Sequence, residues 1–288
     1  MKRLILLDVD KTLIDEKYRF TDDIGDEVAL CKEKGIEIGL CSDTPLPPLK
    51  KIAKDLALTG PIVAEFGAFV YYPADDACIS LHPEKTHFFL GIRRRFLGYL
   101  IDGLPETTIF VGNNTDFVAK DLCLDSFGDY VVLVNGHRKE SLAFHCKSPN
   151  SEKNGLVSNQ NLLSYSTALA IRAIKTELES DGFGFDIDDF WIDKNDEYGI
   201  TIVHSSVTKK KNGVLNIIDR SGAEISMVGD SMYDVIGDGR VTQYWVNNAL
   251  ERQKKTREVF VKEGEYVSPY SYTKGVKDIL RKIASESR

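Results

Sequence analysis

Leu4 to Leu7 is an unbroken apolar run that stops at an aspartate, Asp8, with a second aspartate two residues on at Asp10. A strand that is apolar on both sides must be covered on both faces, which points to a sheet between layers of helices. The following residues keep that rhythm. Residues 22–34 carry Ile24, Val28, Leu30 and Cys31 at helical spacing and close on Gly35. Ile36 to Cys41 is a second apolar strand. Thr44-Pro45 reads as an N-cap with proline at the first position of a helix reaching about Leu56, and Pro61 to Ala64 is a third strand. Alternating strands and helices of this kind predict an α/β core with a parallel sheet.

After Tyr72 the rhythm changes. Helical patterns over about His87–Ile101 and Asn161–Glu179 alternate with strand-like runs at Thr107–Val111, Tyr130–Val134, Leu142–Cys146, Phe190–Ile192 and Ile200–Val203. This order predicts a separate α+β domain with a largely antiparallel sheet. The first rhythm then returns, with a helix near Gly213–Asp219, strands Ile225–Val228 and Tyr244–Val246, and helices near Leu250–Glu263 and Lys274–Ala284. The middle section is therefore an insertion: core over 1–82, inserted domain over 83–204, core again over 205–288, with linkers at 72–83 and 204–208.

The 288 residues have room for two such domains. A formal net charge of -7 argues against nucleic acid as a partner, because backbone phosphates need a basic face. The apolar run at the N-terminus is too short for a signal peptide, and no stretch has the length of a membrane span, so no membrane partner is expected. The five cysteines are scattered and form no C-x-x-C pair, as in a reduced cytoplasmic protein, monomer or homodimer.

Two carboxylates at a strand end, in Asp8-Val9-Asp10-Lys11-Thr12-Leu13, lie where open α/β sheets bind ligands, and burying both without a cation is costly. Taken alone, the pair also fits a surface turn. Ser42 ends the second strand, where a serine is as often a helix cap as a ligand. A lysine run, Lys209 to Lys211, begins a helix with the unfavourable sign for its dipole, which becomes sensible if one lysine faces a bound dianion. Met227-Val228-Gly229-Asp230-Ser231-Met232-Tyr233-Asp234 ends another apolar strand and adds two more carboxylates.

In chain order these segments resemble the haloacid dehalogenase superfamily of hydrolases. The D-x-D-x-T motif at Asp8, Ser42 after the second strand, Pro61 to Ala68, a K-x-G-x-L segment at Lys211, G-D-S-x-x-D at Gly229, Val246-Asn247-Asn248-Ala249 and Glu265 to Val276 all carry the likeness. The chain departs from the pattern at Phe66 and Tyr233, both standing where asparagine is common. The resemblance implies a Rossmann-like core with an inserted α+β cap of class IIB (the C2B, or Cof, type) and a Mg²⁺-dependent phosphatase acting on a small phosphorylated metabolite such as a sugar phosphate. By the same resemblance Asp8 is the nucleophile that forms an aspartyl-phosphate, and Asp10 is the acid and base. Thr12, Ser42 and Lys211 bind phosphate, with the choice between Lys210 and Lys211 open. Asp8, Asp10 through its carbonyl, Asp230 and Asp234 hold the metal.

Two other classes compete: a phosphotransferase of the phosphomannomutase type, and a non-catalytic binding protein on the same fold. Chain length and the pattern near the C-terminus favour the phosphatase. The conjunction of Asp8, Asp10, Lys211, Asp230 and Asp234 weighs against mere binding. Other signals carry less. Asp193 to Glu197 begins like a calcium loop but has His204 at its twelfth position. Asn113-Asn114-Thr115 is a sequon without a secretory signal, the five histidines show no ligand spacing, and Arg93 to Arg95 read as a solvated helical face.

Overall fold

The computed structural model describes residues 2–112, 128–150, 155–181 and 184–286. The sequon at Asn113 and Cys123 lie outside the described residues. The elements in chain order begin with β1 (Arg3–Leu7), α1 (Gly25–Glu33), β2 (Ile36–Cys41), α2 (Leu46–Asp55), β3 (Ile62–Ala64), β4 (Phe69–Tyr72) and β5 (Ala77–Ser80). There follow α3 (Pro83–Gly103), β6 (Thr107–Gly112), β7 (Tyr130–Asn135), β8 (Ser141–Asn150), β9 (Gly155–Ser158), α4 (Gln160–Asp181), β10 (Phe190–Asn195) and β11 (Ile200–Ser205). The last are α5 (Lys210–Ser221), β12 (Glu224–Gly229), β13 (Val241–Trp245), α6 (Asn248–Thr256), β14 (Tyr266–Val267) and α7 (Tyr272–Glu286). Two compact units result, one from residues up to 81 and from 208 onward, the other from 82 to 207.

The discontinuous unit is an eight-stranded sheet in the order β14-β13-β12-β1-β2-β3-β4-β5. The strands from β14 to β3 run parallel, and β4 and β5 add an antiparallel hairpin. β1 is buried on both sides: Ile5 and Leu7 pack in a cluster with Val28 of α1, Leu49 of α2 and Ile279 of α7, while Leu4 and Leu6 pack with Val214 and Ile217 of α5. The hairpin corrects the expected linker at 72–83. Pro73 to Asp76 have turn composition, but Ala77–Ser80 completes a strand by pairing with β4, a partner a local reading does not weigh. Thr44-Pro45 does not open α2 as expected. Pro45 is the N-cap, the helix begins at Leu46, and the Thr44 hydroxyl serves Asp10 instead.

The inserted unit carries the sheet β10-β11-β8-β7-β6, with β9 paired to β8. It is mostly antiparallel, but β6 and β7 run parallel. Its core is aromatic: Phe88, Phe89 and Phe96 of α3 meet Phe144 of β8, Leu163 and Ile174 of α4, and Val203 of β11. Phe88 stacks on Phe190, 5.2 Å between centroids. Arg93 bonds the carbonyls of Gly136 and Arg138, and Arg95 pairs with Glu177 and Ser180. Both arginines are thus tied down inside their own unit. No helix among the described residues is long and apolar enough to cross a membrane.

Candidate active site

Parallel strands bring their carboxyl ends to one side of a sheet. Leu7 is in register with Leu40 on one neighbour and Val228 on the other, and the Asp8 amide donates to the Val228 carbonyl at 2.9 Å. The residues leaving β1, β2 and β12 are therefore neighbours: Asp8, Ser42 and Asp230, all buried. Asp234 joins them because the chain after Asp230 turns through one short 3-10 turn. Its Oδ2 accepts from the amides of Asp230 and Ser231 and from the Ser231 hydroxyl, at 3.1, 3.0 and 2.9 Å. Gly229 makes the fold-back possible, since a Cβ there would stand 2.4 Å from the Cβ of Asp234. One oxygen of each of Asp8, Asp230 and Asp234 lies within 4.8 Å of the others.

Lys210, not Lys211, faces this cluster. Its Nζ donates to Asp8 Oδ1 and to Asp234 Oδ1, each at 2.6 Å, whereas Lys211 is exposed. The reason is helical phase: α5 starts at Lys210 rather than Gly213, so Lys210, Gly213, Val214 and Ile217 form its buried face. Gly67 lets this helix start sit close, because its φ of +99° leaves no room for a Cβ, which would fall 2.0 Å from the Lys209 carbonyl oxygen.

Asp230 is held at both oxygens. Thr12, fully buried, donates to Oδ1 at 3.5 Å; Arg252 Nη1 and Asn248 Nδ2 donate to Oδ2 at 2.9 and 3.4 Å. Thr12, expected to meet phosphate, thus orients a carboxylate. The Asp10 side chain stands outside the three-carboxylate cluster and accepts from the Thr44 hydroxyl at 3.0 Å, so the metal role expected of it rests on its carbonyl alone. Ser42 Oγ accepts the Thr44 amide at 3.1 Å. Arg252 and Thr44 carried no family motif. Arg252 sits one helical turn beyond Asn248, so the two reach the same Asp230 oxygen from one face of α6.

Charge is crowded here. Burial first, then the neighbouring Asp234, pushes Asp8 well above the ordinary carboxylate range, against the pull of Lys210. Burial and Asp234 likewise raise Asp230, to about 6, despite Arg252. Burial draws the Lys210 ammonium down, but Asp234 and Asp8 outweigh it and hold it well above its usual value. Three buried carboxylates against two cations leave one negative charge without a counter-charge among these side chains. An all-oxygen donor set of this spacing fits a hard divalent cation, which would relieve the repulsion.

The parallel sheet with its inserted α/β unit and an acidic cluster at the strand ends defines a haloacid dehalogenase-type hydrolase. Residues 5–236 match the haloacid dehalogenase-like hydrolase model, and the chain belongs to that family. A phosphoglycolate phosphatase of Sulfolobus acidocaldarius is 40% identical over 74 residues, 25% of this chain and 33% of the relative. The chain thus spans about a third of the length of that curated relative. A haloacid dehalogenase-like hydrolase from Bacteroides thetaiotaomicron shares the fold with a TM-score of 0.56 at 15% identity, over 98% of this chain and 100% of the other. A subclass IIB sugar phosphatase shares it with a TM-score of 0.53 at 14% identity, over 98% of each chain.

Proposed function

We propose that the protein is a phosphomonoesterase that releases phosphate from a small phosphorylated metabolite through a covalent phosphoryl-Asp8 intermediate, with Mg²⁺ as its metal. The observation that carries the reading is the Asp8 carboxylate, buried with Asp230 and Asp234 and tied at 2.6 Å to Lys210. A carboxylate has no structural reason to be buried among like charges, and every reason if it must approach a phosphoryl group. The phosphatase names borne by the relatives agree with it.

Asp8, Asp230 and Asp234, with the Asp10 carbonyl, would hold the metal. When bound, it supplies the positive charge that lets an anionic carboxylate approach an anionic phosphate. Lys210 adds a fixed cation beside the Asp8 oxygen, and the Ser42 hydroxyl, already oriented by accepting the Thr44 amide, has its proton to give to a phosphoryl oxygen. An Asp8 oxygen forms a bond to phosphorus as the ester oxygen leaves, and Asp10 gives that oxygen its proton. Water then attacks the same phosphorus, Asp10 takes its proton, and inorganic phosphate departs as Asp8 is restored. Thr44 keeps the Asp10 carboxyl in place for both transfers.

The test is release of inorganic phosphate from a panel of sugar phosphates, phosphoglycolate, nucleoside monophosphates and pyridoxal phosphate, with and without Mg²⁺. Release that requires the metal supports the reading; a folded, metal-supplied protein that turns over no member refutes it. Movement of phosphate between two positions of a hexose with little release would show a phosphotransferase instead.

A further inference from the structure

Phe66 and Tyr233, which follow the carboxyl ends of β3 and β12, touch one another. The Phe66 and Tyr233 rings meet edge to face, 5.4 Å between centroids and 77° between planes. Phe66 is only 7% exposed, whereas Tyr233 is 41% exposed. Phe66 is held in a conformation aromatic residues avoid, with φ 60° and ψ 25°, and Glu65 before it also has positive φ, 47°. Such outliers persist only where their surroundings impose them, and they gather at functional sites.

The surroundings are those of the acidic cluster. The Glu65 amide donates to the Thr44 carbonyl and the Phe66 amide to the Ser42 carbonyl, both at 3.1 Å. The next residue, Gly67, presses on the backbone of Lys209 and Lys210. Tyr233 immediately precedes Asp234, whose carboxylate takes the Lys210 ammonium. Each ring is therefore anchored within a residue of a group that packs on Lys210, one from the β3 side and one from the β12 side. A buried ring in a strained turn props an exposed ring at the carboxyl ends of the parallel strands, the end of the sheet that carries Asp8, Asp230 and Asp234. Asparagine would sit more easily in the Phe66 conformation, so strain is borne here in favour of an aromatic ring.

We propose that Tyr233, propped by Phe66, is a specificity-determining wall that receives the flat face of a ring-bearing phosphomonoester, so that the substrate carries a sugar or aromatic ring rather than a short acid chain. This rests on the phosphomonoesterase reading. An exposed tyrosine offers a flat, half-apolar surface that costs little entropy to use, and ring faces stack on it with useful energy.

The test compares benzyl phosphate and glucose 6-phosphate with ethyl phosphate, which has no ring, in the full chain with Mg²⁺. For at least one ring ester, kcat/KM relative to ethyl phosphate should fall about 3- to 10-fold in Tyr233→Ala and recover in Tyr233→Phe. The ester that responds tells an aromatic ring from a sugar ring. Ratios for both ring esters that stay within about twofold in Tyr233→Ala overturn the wall. If wild type hydrolyses none of the three nor any member of the wider panel, the phosphatase reading fails separately; if it hydrolyses only others, the wall is read by binding. Calorimetric affinities for benzylphosphonate and ethylphosphonate then decide the wall: it stands if the benzyl preference drops on Tyr233→Ala and falls if it does not.

Discussion

The two units bury charge in different ways. In the discontinuous unit Asp8, Asp230 and Asp234 are gathered within 4.8 Å of one another and share Lys210 and Arg252 as counter-charges. In the inserted unit buried charges lie among opposite charges and hydroxyls: Glu177 meets Arg95, Glu140 the Thr86 hydroxyl, Arg138 the Ser141 hydroxyl, and Lys85, over the face of Phe185, has Asp189, Glu84 and Glu140 near it. Opposite charges with local partners are what a stable fold tolerates, whereas like charges collected in one place cost stability and need a chemical use.

The largest expected effect lies in the gathered cluster. Lys210→Met should lower phosphate release about 10²- to 10³-fold, and without divalent cation it should destabilise the protein by about 3–5 kcal/mol, because Asp8 and Asp234 lose their shared partner. Steady-state kinetics and urea unfolding read the two separately, and a loss of stability with full turnover would break the comparison. In the inserted unit the largest effect should be one of packing. Phe88→Ala should cost about 3–5 kcal/mol in urea unfolding by opening a cavity among Phe89, Phe185 and Phe190.

A smaller effect comes from His145. Burial first, then Lys147 and Arg138, lowers its pKa from 6.5 to about 4, so the folded protein keeps it neutral while the unfolded chain protonates it. Stability is whole above pH 6.5 and is lost as pH falls towards about 4. Relative to wild type, His145→Gln should gain about 1–3 kcal/mol over that interval, seen as a pH profile of unfolding midpoints; identical profiles would contradict the sign. The smallest effect is expected of Lys211→Ala, which should change turnover less than about twofold because the side chain is exposed. A collapse of activity there would put the wrong lysine at Asp8.

Much of the site was legible in the sequence because strand ends are. Asp8 and Asp230 each follow an apolar run, and the run itself tells where the chain leaves the sheet. The lysine was not settled that way. Three consecutive lysines differ only in helical phase, and the phase depends on where α5 begins. The spacing of Gly213, Val214 and Ile217 carries that phase, and counting back one turn from Gly213 reaches Lys210. Arg252 and Thr44 were hidden for another reason: each acts on a carboxylate distant in sequence, and their own neighbourhoods carry no sign of it. The β4–β5 hairpin was missed because weak strands are made by their partners.

The central claim is that Asp8 takes the phosphoryl group itself. Rapid acid quenching during turnover, followed by mass spectrometry of the peptide containing Asp8, tests it most directly. The account predicts one phosphoryl group on Asp8, removed by hydroxylamine and absent from Asp8→Asn, which releases no phosphate. Phosphate release by Asp8→Asn at the wild-type rate, or a phosphoryl group found on another residue, would contradict it.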